Sequence, residues 1–181
     1  MKKLILIVVL LLTVCGRVVI AAPAGWSLIS NPLDSGAAPI PLFLPVAPPE
    51  TLLFKYTPLG YETETYIDGF GWFPGAMTLS PGEGAFIYLP VAAALGFLGA
   101  PLVPPHAVPI PAGYSMCSAP SGLGMLLFPA AEGDIIYTFI VATQSYDYYE
   151  FIAGAWFPAV PPVAVGEAFW VVKSAPAVWI Q

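Results

Sequence analysis

Proline and glycine leave this chain almost nowhere to build a helix. It carries 22 prolines and 17 glycines in 181 residues, and prolines crowd together at Pro39 and Pro41, Pro48-Pro49, Pro104-Pro105, Pro109 and Pro111, and Pro161-Pro162. Inside a helix each proline removes a hydrogen-bond donor and clashes with the preceding turn, at a cost of ~3 kcal/mol. Between the breaks lie short runs of β-branched and aromatic residues: 52–56, 85–89, 134–139 and 168–172. Such runs, punctuated by turn residues roughly every ten positions, describe an all-β sandwich or barrel. Only residues 91–99 and 122–128 leave room for a brief helical turn.

The pattern occurs twice. Ala24-Gly25-Trp26-Ser27-Leu28-Ile29-Ser30-Asn31-Pro32 matches Ala112-Gly113-Tyr114-Ser115-Met116-Cys117-Ser118-Ala119-Pro120. Leu52-Leu53-Phe54-Lys55-Tyr56 then matches Ile135-Ile136-Tyr137-Thr138-Phe139, Tyr66 falls opposite Tyr149, and Trp72-Phe73-Pro74 returns as Trp156-Phe157-Pro158. Gly82-Glu83-Gly84-Ala85-Phe86 returns as Gly166-Glu167-Ala168-Phe169, with Gly84 read as dropping out. Ordered matches in one register point to an internal duplication. The expected division is a β repeat over 23–100, a proline-rich linker over 101–111 and a second β repeat over 112–181. Each repeat is small for an independent core, so the two are expected to pack as one pseudo-twofold body.

The first residues look like an export signal. Met1-Lys2-Lys3 is basic, residues 4–14 are an unbroken apolar run, and small residues follow at Ala21, Ala22 and Ala24. This is the layout of a signal peptide over 1–22, cleaved near Ala21 or Ala22, and the run is short for a membrane span. The minor alternative is lipidation of Cys15, although Val14 stands where a lipobox carries Gly, Ala or Ser. Without 1–22 the chain keeps two basic residues, Lys55 and Lys173, against all eleven acidic ones, a net charge of −9. That charge repels phosphate backbones and excludes nucleic acid as a partner, and no basic patch is left for anionic lipid. Cys117 remains as the one thiol, read as a small buried hydrophobe rather than a nucleophile.

The landmark motifs carry a resemblance. Gly25-Trp26-Ser27-Leu28-Ile29-Ser30-Asn31-Pro32, Tyr56, Trp72 and Pro81-Gly82-Glu83-Gly84-Ala85-Phe86, with Gly166-Glu167-Ala168-Phe169-Trp170 in the second half, resemble a repeat of bacterial surface proteins. The resemblance implies extracellular display and β structure and brings no agreed activity. Tyr114 and Ala119 replace Trp26 and Asn31 in the second copy, so any role of Asn31 is not duplicated.

Catalytic chemistry finds little support. His106 is the single histidine and sits in the proline-rich linker, and no nucleophile elbow precedes a helix. Glu83 and Glu167 occupy equivalent places and invite a two-carboxylate reading, but a turn glutamate accepting backbone N–H bonds explains both. Metal binding lacks histidine and cysteine ligands, and the acids are scattered. Glu62 and Glu64 alternate onto one face of a strand, expected to be solvent. No catalytic residue, metal or cofactor is assigned, and the chain is not expected to be an enzyme.

Aromatic strands remain. Tyr61, Tyr66, Tyr146, Tyr148 and Tyr149 are the candidate ligand- or partner-binding residues, because exposed tyrosines stack on sugar faces and anchor interfaces. Adjacent residues in a strand point to opposite faces, so one of Tyr148 and Tyr149 faces outward. With 58% hydrophobic and 9% charged residues, the chain is short of the charge that keeps monomers apart. The expected role is a secreted or cell-surface structural or interaction protein, part of a filament, lattice or matrix, that self-associates or docks on other envelope proteins. The alternative is a carbohydrate-binding module that takes a polysaccharide on the aromatic strands. No membrane span is expected after leader removal.

Overall fold

A computed structural model describes residues 16–119, 125, 127–164 and 166–181 of the chain. Residues 1–15, including Cys15, and most of 122–128 lie outside the described residues. Among the described residues fourteen strands follow one another: β1 (Gly16–Ala22), β2 (Gly25–Ile29), β3 (Leu52–Thr57), β4 (Gly60–Ile67), β5 (Gly71–Phe73), β6 (Ala85–Leu89) and β7 (Ala93–Gly99), then β8 (Ala107–Ile110), β9 (Gly113–Ser118), β10 (Ile135–Ile140), β11 (Ser145–Ile152), β12 (Ala155–Phe157), β13 (Ala168–Lys173) and β14 (Ala177–Ile180). A single helical turn, α1 (Ile40–Phe43), lies between β2 and β3, with proline in its first turn, where the missing N–H costs nothing.

The strands form two five-stranded sheets, β2-β6-β3-β4-β5 and β9-β13-β10-β11-β12, and two ribbons, β1-β7 and β8-β14. Advancing every strand by seven turns the first set into the second. Each sheet is an open one covered on one face by its own ribbon, so the body is a pair of small sandwiches. In the first unit Leu53, Ile87, Leu89 and Trp72 from the sheet meet Leu95 and Phe97 from β7 and Ile40, Phe43 and Leu44 around α1. In the second, Ile136, Tyr149, Phe169 and Val171 meet Val108, Ile110 and Trp179 from the ribbon. Trp72 is buried and its indole N–H donates to Leu44 O at 2.6 Å. Trp156, its counterpart, is half-buried against the second core, with ring centroids 5.9 Å from Phe128 and 5.3 Å from Phe151.

The units meet through paired, exchange-related contacts. Ser30 N donates to Gly166 O at 3.0 Å, and Ser118 N donates to Gly82 O at 2.9 Å. Ile20 of β1 sits where a Cβ on Gly166 would be, and Val108 of β8 sits where a Cβ on Gly82 would be, so both turns require glycine for close approach as well as for positive φ. Leu28, Met116 and Ala168 form a third small apolar cluster between the sheets, with Phe86, Phe139 and Trp170 packed on it.

Several expectations change. Residues 16–22, read as the end of a leader, form β1, which pairs with β7 along all seven residues from Gly16↔Gly99 to Ala22↔Ala93. Ala22 is buried, and Val18 and Ile20 pack on the first core. The segment read as a linker over 101–111 contains β8, held to β14 from Ile110↔Ala177 to Ala107↔Ile180. Residues 91–99, allowed a helical turn, supply β7. The internal register also shifts: Ile29 pairs with Ala85 and Cys117 with Phe169, so Ala85 corresponds to Phe169 and no glycine is lost. Tyr66 pairs with Trp72 as Phe151 pairs with Trp156, so Phe151 rather than Tyr149 is its counterpart.

Candidate functional site: an aromatic face

Strand alternation gives each sheet two apolar faces. Leu53, Ile87 and Ile136 point to the ribbons; their neighbours Phe54, Phe86 and Tyr137 point the other way. Cross-strand pairing lines these up: Trp26 lies opposite Tyr88, Phe54 opposite Phe86, and Tyr56 opposite Tyr61. In the second sheet Tyr137 lies opposite both Trp170 and Tyr148, Phe139 opposite Tyr146, and Tyr114 opposite Val172.

The rings form one network that crosses between the units. Trp26 lies 5.7 Å from Phe54 and 5.2 Å from Tyr88, and Tyr56 lies 5.6 Å from Tyr61. The crossing is made by Tyr56 to Trp170 at 5.0 Å and by its counterpart, Phe139 to Phe86 at 6.0 Å. Phe139 to Tyr146 at 5.1 Å and Tyr137 to Tyr148 at 5.6 Å continue it outward. Tilted and edge-on contacts at these separations suit the ring quadrupole.

Two shallow clefts open on this face. One, of about 340 Å³, is lined by Tyr56, Tyr114, Tyr137, Tyr146 and Trp170. The other, of about 390 Å³, is lined by Trp26, Phe54, Tyr61 and Phe86. Four positions correspond, Trp26 to Tyr114, Phe54 to Tyr137, Tyr61 to Tyr146 and Phe86 to Trp170, while Tyr56 of the first unit reaches across to complete the second unit's cleft. Among the described residues no charged side chain lines either. The second-unit cleft has four phenols around one indole, whereas the first-unit cleft has one phenol. Burial raises the Tyr61 hydroxyl above its ordinary pKa, with the Tyr56 phenol adding to it. Burial likewise raises Tyr146, partly offset by the Trp170 indole. Tyr148 donates a 2.6 Å hydrogen bond to Glu150 and is pushed up to about 12 by that bond first.

The five tyrosines singled out from sequence divide. Tyr61, Tyr146 and Tyr148 belong to the aromatic face and are 53%, 43% and 44% exposed. Tyr149 is buried in the second core, because register sets it opposite the fully buried Ile136. Tyr66 packs half-buried on the first core, its ring 5.4 Å from Trp72. Neither of those two belongs to the aromatic face. Trp26, Phe54, Tyr56, Phe86, Tyr114, Tyr137 and Trp170 complete the clefts, and strand parity relative to Leu53, Ile87 and Ile136 was the sequence signal for those on the same strands.

The other candidates hold the fold. Glu83 accepts Ser80 N–H at 2.7 Å and a Lys55 ammonium bond at 2.8 Å, and Glu167 accepts Ala164 N–H at 3.1 Å. Glu64 is buried, not solvated, and its carboxylate accepts the N–H groups of Gly75, Ala76 and Met77. Asn31 organises the turn after β2, accepting Leu33 N–H at 3.1 Å and donating to Ser35 Oγ at 2.9 Å, which Ala119 cannot do. His106 exchanges backbone hydrogen bonds with Gln181, at 2.7 and 2.9 Å. Cys117 is buried, and desolvation pushes its thiol to about 11. Among the described residues no three histidine, cysteine or acidic side chains cluster as a metal site, and no helix is long and apolar enough to cross a membrane.

Comparisons with family models, with curated proteins and with solved structures return no match.

Proposed function

We propose that this chain is an exported, non-enzymatic interaction protein that assembles through its aromatic face, with copies of itself or with other components of a cell surface or extracellular layer. One observation carries the reading. Each sheet already has a covered core on its other face, so the cleft aromatics are not needed to close either sandwich, yet they form a continuous network whose outer members, Trp26, Tyr61, Tyr114, Tyr146 and Tyr148, stand in solvent. Aromatic anchors of this kind, uncharged and laid side by side, are what interface centres are made of. The matching halves fit a duplicated surface-protein repeat. The packed place of β1 supports a mature chain that keeps residues 16–22, with any leader ending before Gly16.

Exchanging Tyr61, Tyr114 and Tyr146 together for serine tests the assembly reading, because none of the three belongs to a core. The native chain should form large particles by light scattering, and the triple variant should be monomeric with the same circular dichroism. Equal particle size in both would overturn it.

A second reading is favoured by the Tyr56, Tyr114, Tyr137, Tyr146 and Trp170 cleft, where phenol hydroxyls ring an indole platform: stacking of a neutral polysaccharide. Glycan binding by a monomeric native chain, lost in Tyr114→Ser with Tyr146→Ser, would put this reading first.

A further inference from the structure

The second unit buries an ion pair that the first builds without charge. Asp134 and Lys173 are the cross-strand pair next to Ile135↔Val172, at the joined ends of β10 and β13. Their side chains are 0% and 2% exposed, and Lys173 Nζ bonds Asp134 Oδ2. At the corresponding place, next to Leu52↔Tyr88, the first unit has Thr51 and Leu89. Both are fully buried, and Thr51 Oγ1 satisfies itself on Pro48 O at 2.7 Å. The fold therefore does not require charges there, and a buried ion pair is often no more stable than an apolar replacement.

The hydrogen bonds around the pair are incomplete in a specific way. Lys173 Nζ also donates to Pro129 O at 2.8 Å, and Asp134 Oδ2 also accepts Ala131 N–H at 2.8 Å. Asp134 Oδ1 is buried with no partner. An unsatisfied carboxylate oxygen in such a place is costly. An amide between the two side chains removes the defect: its N–H keeps Pro129 O, its carbonyl oxygen keeps Ala131 N–H, and the oxygen without a partner is the one that leaves.

We propose that Lys173 and Asp134 condense into an intramolecular isopeptide bond that locks β10 to β13. The ammonium passes a proton to the carboxylate, the Nζ lone pair adds to Cγ, and that proton and a second one from Nζ both end on Oδ1, which departs as water. The Nζ–Cγ bond forms, a Cγ–O bond breaks and one water leaves. One positive and one negative charge vanish together, and no oxidant or other reactant is required. Among the described residues no hydrogen bond ties a third carboxylate to the pair, so the two groups exchange the protons between themselves. Burial and fixed register supply the effective concentration that drives the step, and the Phe128 ring, 5.4 Å from Nζ, keeps one side apolar.

Intact-mass measurement of the purified, folded chain, fresh and after prolonged incubation, tests this. The expected mass is one water below that of the polypeptide, with a protease-resistant branched peptide joining residues 134 and 173. The Asp134→Thr, Lys173→Leu double variant copies the first unit's chemistry, so it should fold and show full mass. Asp134→Asn should lose one ammonia in place of water. Full mass for the native chain after incubation would overturn the proposal, as would a water loss that persists in the double variant.

Discussion

Glu64→Ala should be among the most damaging exchanges in the first unit, although sequence alternation alone puts this glutamate in water. The residue is 2% exposed and its carboxylate receives Gly75 N–H at 2.5 Å and Ala76 and Met77 N–H at 2.8 Å. Met77 O in turn accepts Ile40 N–H at 2.7 Å, which seats α1, and Leu44 just after α1 accepts the Trp72 indole. Hydrogen bonds to a charged group contribute about 1.5–3 kcal/mol each, and an orphaned buried donor costs about 1–3 kcal/mol. Ala76 is exposed and Gly75 half-buried, so water can rescue those two donors in the variant, while Met77 N–H stays buried. The sum is then about 4 kcal/mol rather than the full value of three bonds. For a chain of this size that lowers Tm by about 8–16 °C. Glu64→Gln keeps one acceptor oxygen and should lose about half as much. Thr63→Ala, on the exposed side of the same strand, should lose less than about 0.5 kcal/mol. Thermal and urea unfolding followed by tryptophan fluorescence measures all three. A loss below about 1 kcal/mol for Glu64→Ala would refute the reasoning, because it would mean the 75–77 turn does not depend on this carboxylate.

Three further outcomes follow from named contacts. Gly82→Ala should destabilise by about 3 kcal/mol in chemical denaturation, from left-handed backbone strain plus overpacking, because the new Cβ would lie 2.5 Å from Val108 Cγ2 at φ +89°; an unchanged midpoint would deny that β8 packs on this turn. Cys117 should resist thiol reagents in the native state at neutral pH and react on unfolding. Desolvation raises its folded value to about 11, above that of an exposed thiol, so its contribution to stability is whole below the exposed thiol's range and is lost as pH rises through 11. Starting the chain at Pro23 should lower stability in the same assays, since it strips β1 from β7 and uncovers Ala22's place in the first core; unaltered unfolding would mean β1 is dispensable.

What could be read in advance depended on how sharply each segment was bounded. β2, β3, β6, β10 and β13 are short apolar runs closed by Gly, Pro or a polar turn, and the all-β class follows from them. β7 is Ala93-Ala94-Leu95-Gly96-Phe97-Leu98-Gly99, poor in β-formers, and becomes a strand because β1 supplies its partner. β1 itself could not be separated from the apolar residues before it, since hydrophobicity alone does not tell a β-branched strand from the tail of a leader. Alternation correctly put Glu62 and Glu64 on one side of β4, but not that the distant 75–77 turn folds over Glu64 alone. The same rule required Tyr148 and Tyr149 to part company, and pairing with Ile136 decided which went inside. The clefts were hidden for a related reason: they are assembled from eight strands whose register is a tertiary property.

Sedimentation velocity of the folded chain across a salt series tests the assembly claim most directly. With residues 16–22 retained, Arg17 joins Lys55 and Lys173 against eleven acidic residues, a net charge of −8. Screening at physiological salt confines that repulsion to ~8 Å, while each Å² of aromatic face removed from water contributes about 25 cal/mol. The weight-average mass should therefore rise with salt and stay at the monomer value in the Tyr61→Ser, Tyr114→Ser, Tyr146→Ser variant. A monomer at every salt concentration, or dissociation as salt rises, would contradict an interface made of uncharged rings.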